Sequence, residues 1–171
     1  MDTTLNTDIL EPISTIIIPA TTRKFVAGEK FVVNRRSNAR VKISCLGSDF
    51  TEQFLFSGGG KIELPISERI LRCHRVRCCS VDSSIIAELG GKKKSETTLT
   101  EMFYLMEKWG EHGLLLSSGW ASNTFYIRNQ KAVLRSVNAR WAGGGWHVYA
   151  IPVGKPDGWR NGGRTFSRDF I

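Results

Sequence analysis

Along most of this chain, apolar positions come in short runs or alternate with polar ones. Only one stretch repeats them at helical spacing. Thr15-Ile-Ile-Ile-Pro19 is a β-branched run closed by proline and reads as a strand. Phe25–Val33 has the pattern of a strand pair, or of one strand broken at Gly28. In Arg40–Leu46, Val41, Ile43 and Cys45 point one way and Lys42 and Ser44 the other, as in a half-buried strand. Gly47-Ser-Asp49 follows as a turn, and Phe50–Leu55 fits a helical turn or a strand end. Residues 62–82 are basic and show no regular period, and Ser84–Leu89 is a short apolar segment ended by Gly90 and Gly91.

The helical stretch begins at Thr98-Leu-Thr-Glu101, which matches a capping box. Leu99, Met102, Phe103, Met106 and Trp109 then share one face, and Gly110 or Gly113 ends the helix. Gly113-Leu-Leu-Leu116 reads as a buried strand. Three strands are predicted next, at 123–128, 132–141 and 145–153, with turns short enough to make neighbours antiparallel. Pro156-Asp-Gly158 is a turn signal, and Thr165–Arg168 returns as a final edge strand. The predicted class is α+β: a curved antiparallel sheet with a C-terminal β-meander, packed against one main helix at about residues 98–110. Residues 1–14 read as a flexible arm and 15–171 as a single domain, as a chain of 171 residues allows.

Charge changes the picture because it is uneven. The net charge is +8. Residues 1–22 are acidic, residues 23–42 strongly basic, and residues 128–171 carry eight Arg or Lys against Asp157 and Asp169. A basic excess attracts phosphate-rich partners. No apolar run is long enough for a membrane span, and the acidic, polar N-terminus lacks the features of a signal peptide. The expectation is therefore a cytoplasmic protein whose four cysteines (Cys45, Cys73, Cys78 and Cys79) are free thiols.

Candidate chemistry is sparse. Cys73, His74, Cys78 and Cys79 are too crowded to form the two separated pairs of a zinc site, so no metal or cofactor is expected. Ser57-Gly-Gly-Gly-Lys61 is not a phosphate loop, because Ile62 stands where Ser or Thr is required. An enzyme would need His147 or His74 beside a cysteine or carboxylate, and pairs such as Asp82 with Glu88 have no distinguishing context. The strand 132–141 is more informative. Val133, Arg135, Val137, Ala139 and Trp141 share one face, and Leu134, Ser136, Asn138 and Arg140 the other. On the next strand Trp146, Val148 and Ala150 oppose His147, Tyr149 and Ile151. With the apolar face buried, Arg128, Asn138, Arg140, His147 and Tyr149 share the outer one. The aromatic and basic tail adds Trp159, Arg160 and Arg164.

Thr15–Thr22, Lys24-Phe-Val26, Val41-Lys-Ile-Ser44, Ile86–Gly91, Glu96–Glu101, Phe125-Tyr-Ile-Arg128, Val133-Leu-Arg135 and Phe166-Ser-Arg168 together resemble a family of small uncharacterised proteins of candidate-phyla (patescibacterial) bacteria and metagenomes. The resemblance covers nearly the whole chain. It implies a bacterial cytosolic protein and assigns no activity and no functional residue. The ending Gly162–Arg168 also faintly resembles the ligand-display ends of C-type-lectin-like variable proteins, without their Arg-Gly-Gly-Ser-Trp motif.

Arginines interleaved with aromatics are how single nucleic-acid strands are bound without strict sequence readout. The leading expectation is a non-enzymatic binding protein that contacts nucleic acid through these eight residues. The alternative is a protein-binding or ligand-display module anchored by exposed Trp, Tyr and Arg, with Trp146 as the first anchor to test. A small hydrolase-like enzyme is the third possibility.

Overall fold

Period-two alternation builds one main sheet across the molecule, with β-pairing of Phe25–Val26 and Ile62–Glu63 apart from it. The computed structural model describes residues 8–110, 113–116, 121–154 and 158–169. Within them lie strands β1 (Leu10–Ile18), β2 (Phe25–Val26), β3 (Ile43–Leu46), β4 (Ile62–Glu63), β5 (Arg69–Val76), β6 (Glu96–Thr97), β7 (Asn123–Arg128), β8 (Leu134–Ala142), β9 (Gly145–Pro152) and β10 (Arg164–Asp169). Helices α1 (Ala27–Lys30), α2 (Ser48–Phe50), α3 (Asp82–Glu88), α4 (Lys92–Ser95) and α5 (Leu99–Trp109) connect them, with a π-helical turn at Thr51–Leu55. The class is α+β. The main sheet has eight strands in the order β1-β5-β10-β7-β8-β9-β3, with β6 also on β7. Most pairs are antiparallel, and β10–β7, β6–β7 and β3–β9 are parallel.

One face of this sheet is closed. Ile16, Leu71, Phe166, Phe125, Val137 and Val148 share a core with Leu99, Met102, Leu105 and Met106 of α5. Phe125 and Phe166 stack at 4.5 Å across the β7–β10 junction. Each such side chain contributes roughly 1.5–3 kcal/mol by leaving water. The capping box at Thr98 and Glu101 forms as expected. Fully buried Glu101 also binds Arg69 of β5 and Arg168 of β10, fixing the start of α5 to two strands. On the opposite face the short α3 covers one end only. It joins Ile85, Ile86 and Leu89 to Leu10, Val76 and Tyr126. No helix of the described residues is long and apolar enough to cross a membrane.

Several expectations are corrected. Residues 10–14, assigned to the arm, belong to β1: Leu10 is buried, and Glu88 accepts the N–H groups of Ile9 and Leu10. The expected strands at Phe25–Val33 stop at Val26. There the chain enters α1, with Gly28 so close to Gly59 that a Cβ would meet its carbonyl oxygen at 2.4 Å. Residues 69–76, read as irregular, form a full strand with Leu71 and Cys73 inside and Arg72 and His74 on the other face. Leu114–Leu116 is not a strand. The Asn123 side chain takes the place of a neighbouring strand, accepting from the Leu116 N–H and donating to its carbonyl. β10 is not an edge strand, because it lies between β5 and β7. The expected turn at Pro156 and Asp157 lies outside the described residues.

Candidate functional site

Strand parity places Asn138 and Arg140 of β8 and Tyr149 and Ile151 of β9 on the face that α3 covers only in part. In register, Asn138 lies between Thr124 of β7 and Tyr149 of β9, and Arg140 lies opposite His147. Beyond α3 these residues floor a cleft of about 370 Å³. Ser122, Thr124, Ile151 and Val76 complete the floor, and Gly158, Trp159, Arg160 and Gly163 form the wall.

The wall is held by backbone and by one buried carboxylate. Ser80 and Trp159 exchange N–H···O bonds of 3.0 and 2.6 Å, and Val76 exchanges bonds with Gly162 and Gly163. Asp82, 2 % exposed, accepts from the Trp159 indole N–H at 2.6 Å, the Tyr126 hydroxyl at 2.8 Å and the Gly154 N–H at 3.0 Å. A buried charge persists only when it is paired or hydrogen-bonded, and three donors meet that need here. Burial and the Asp82 charge both push the Tyr126 phenol well above its ordinary range, so it remains a donor.

The floor is fixed in the same way. Asn138 Oδ1 accepts from the hydroxyls of Ser122 at 3.2 Å and Thr124 at 3.1 Å. Tyr149 packs against Gly47, where a Cβ would stand 2.7 Å from the ring. Its hydroxyl meets His147 Nδ1 at 3.1 Å. Among the described residues no acidic side chain lines the cleft, and Arg140 makes no hydrogen bond or ion pair with any of them. A wider groove of about 770 Å³ beside exposed Phe56 includes Glu52 and contains none of the eight expected residues.

Five of the eight therefore converge on the cleft: Asn138, Arg140, Tyr149, Trp159 and Arg160. His147 orients Tyr149 without lining the cavity. Arg128 does not join them. It lies four residues along β7 from Thr124, ~13 Å at strand rise, and binds Glu96 and the Ala132 carbonyl. Arg164 has the parity of Phe166, which puts it on the α5 face, where it donates to the Gly162 carbonyl beside Cys73 and Arg75. Trp146 is no surface anchor. It is 1 % exposed and stands edge-on to Trp141 in the core. Reading the sequence missed Asp82, Tyr126, Ser122 and Thr124. Only Thr124 and Tyr126 carried a signal, since both share the parity of Arg128.

Cys73 and His74 point to opposite faces of β5. Burial holds the Cys73 thiol up at about 12, so it stays protonated. His74 contacts the Ser167 hydroxyl at 3.0 Å, and His112 lies outside the described residues. No group of three His, Cys, Asp or Glu among the described residues could hold a metal ion. The cleft offers guanidinium and amide donors, hydroxyls and two aromatic faces, with no carboxylate or thiol among its described lining residues. Comparison with protein-family models, with curated proteins and with solved structures finds no match for this chain.

Proposed function

We propose that this chain is a non-enzymatic nucleic-acid-binding protein acting in the bacterial cytoplasm, and that its contact surface is the outer face of the C-terminal sheet. In this reading the β7–β8–β9 meander, backed by α5 as the main helix, is the rigid frame, and the cleft is the centre of contact. One observation carries the proposal. Asn138, Arg140, Tyr149, Trp159 and Arg160 line one cleft, and none of its described lining residues is acidic. A site of that sign favours polyanions, and its aromatic faces favour stacked bases.

The test is a titration of the full chain with labelled single-stranded RNA and DNA at two salt concentrations. Affinity should fall steeply with salt, because each neutralised phosphate releases counterions. Binding that ignores salt, or no binding at low salt, would overturn the reading. In the first case a protein partner held by Trp159 and Tyr149 becomes the explanation.

A further inference from the structure

Resting on that reading, we infer that the cleft is a subsite for a single unpaired nucleotide. Its base lies over the Asn138 floor beside Tyr149 and Trp159, and its phosphate lies at Arg140. The nucleic acid recognised is then single-stranded at this point, and the base itself is inspected.

Three features of the cleft point there. The first is size. A volume of about 370 Å³ is at the small end for ligand pockets, enough for one base with its sugar. A duplex keeps its bases stacked inside and can offer this cleft only its backbone, so the cavity would remain empty. The second is the polar pattern of the floor. A surface built only for phosphate needs donors alone. Here the Asn138 amide is held by two hydroxyls through Oδ1, and its Nδ2 is otherwise tied only by a long 3.4 Å contact to the Ser136 carbonyl. That leaves an amide N–H as donor. The Ser122 and Thr124 oxygens, having donated their protons to Asn138, present lone pairs. Donor and acceptors side by side match the edge of a base, which carries both. Asn138 and Thr124 are 5 % and 3 % exposed, so a base edge bonding to them is shielded from water and its pairing counts for more.

The third feature is spacing. Arg140 follows Asn138 by two residues on the same face of β8, ~7 Å along the strand, with no described residue neutralising it. A guanidinium at that remove from a base-reading amide suits the phosphate of the same nucleotide. Tyr149, across the register from Asn138, supplies the ring on which the base stacks, and His147 and Gly47 fix that ring's position.

The experiment compares four probes on the full chain at low and at physiological salt. They are a single-stranded homopolymer oligonucleotide, the same strand with abasic residues, its duplex, and the free 5′-mononucleotide. The base-bearing strand should bind about tenfold or more tightly than the abasic strand and the duplex. Tyr149→Ala should erase most of that margin, and Tyr149→Phe, which keeps the aromatic face, should retain it. Arg140→Gln should weaken the base-bearing and abasic strands alike, and circular dichroism confirms that each variant is folded. Equal affinity for base-bearing, abasic and duplex probes overturns the inference. If those affinities still share a steep salt slope, the nucleic-acid reading stands without it. No binding of any probe overturns both. Mononucleotide binding as tight as the strand's supports the nucleotide subsite and identifies free nucleotide as the source of its ligand.

Discussion

Arg69 and Arg168 on one face of the sheet and Arg140 on the other are held in different ways. On the α5 face, Arg69 and Arg168 converge on Glu101, a carboxylate with no solvent exposure that also caps the helix. On the opposite face, Arg140 looks into a cleft with no carboxylate among its described lining residues. The first arrangement is closed: charge, cap and core depend on one another. The second leaves positive charge and aromatic surface on a rigid floor. Charge alone therefore says little about function, and the availability of its counter-charge says more.

Removing one group from each face tests the contrast most sharply. Glu101→Ala deprives two guanidiniums of their partner and the helix of its cap. It should cost about 3 kcal/mol or more of unfolding free energy, since truncating one member of a buried ion pair strands the rest. Urea denaturation measures it. Arg140→Gln should change stability by less than ~0.5 kcal/mol. A comparable loss from both variants would show that the open face is as structural as the closed one.

The second largest effect belongs to the support of the cleft. Asp82→Ala leaves the Tyr126 hydroxyl, the Trp159 indole and the Gly154 N–H without their acceptor. Hydrogen bonds to a charged group contribute roughly 1.5–3 kcal/mol each when measured singly, and they share this one anchor. A loss of about 2–3 kcal/mol is expected, along with a changed near-UV spectrum as Trp159 is released. Tyr126→Phe removes one donor and should cost about 1.5 kcal/mol. If Asp82→Ala lowers stability but leaves oligonucleotide affinity untouched, the wall does not shape the binding site.

These groups also show what the sequence made legible. The capping box fixed the start of α5, and strict alternation set the faces of β8 and β9. That is why Asn138, Arg140 and Tyr149 fall together as expected. β5 escaped notice because its outward positions carry Arg72 and His74, and its inward Cys73 does not read as strongly apolar. The three leucines at 114–116 looked like a strand, yet a side-chain amide meets their backbone. Parity assigns a residue to a face, not to a place along it. Arg128 shares the face and misses the cleft, and Arg164 was grouped with it by composition although its strand parity is opposite. Asp82 could not be found from sequence, since its three donors come from β7, the end of β9 and the tail.

Smaller again is the effect of Arg140 on binding. Arg140→Gln should lower the slope of log affinity against log salt by about one, as expected for one lost phosphate contact, and weaken all single strands evenly. A loss confined to one sequence would instead mark Arg140 as a base reader, and would move the inspected edge away from Asn138.

The smallest expected effect concerns how the open face responds to pH. His74 lies on the outer face of β5. Burial and the nearby Arg72 lower its pKa below the ordinary 6.5, with Glu88 and Asp169 pulling the other way. The folded protein therefore takes up this proton less readily than the unfolded chain. The sign follows: stability from this group is full above about pH 6.5 and is lost as pH falls through 6.5 toward the lowered folded value. His74→Gln keeps a side chain able to hydrogen-bond Ser167 and cannot titrate. Unfolding free energies measured from pH 7.5 to 5 should decline less in the variant than in the wild type. His74 is absent from the cleft lining, so oligonucleotide affinity at pH 7.5 should be unchanged. Parallel pH curves would mean that another group carries the acid sensitivity. A shift in affinity would mean that the face responds as one unit, from β5 to the cleft, and that the frame is less rigid than its hydrogen bonds imply.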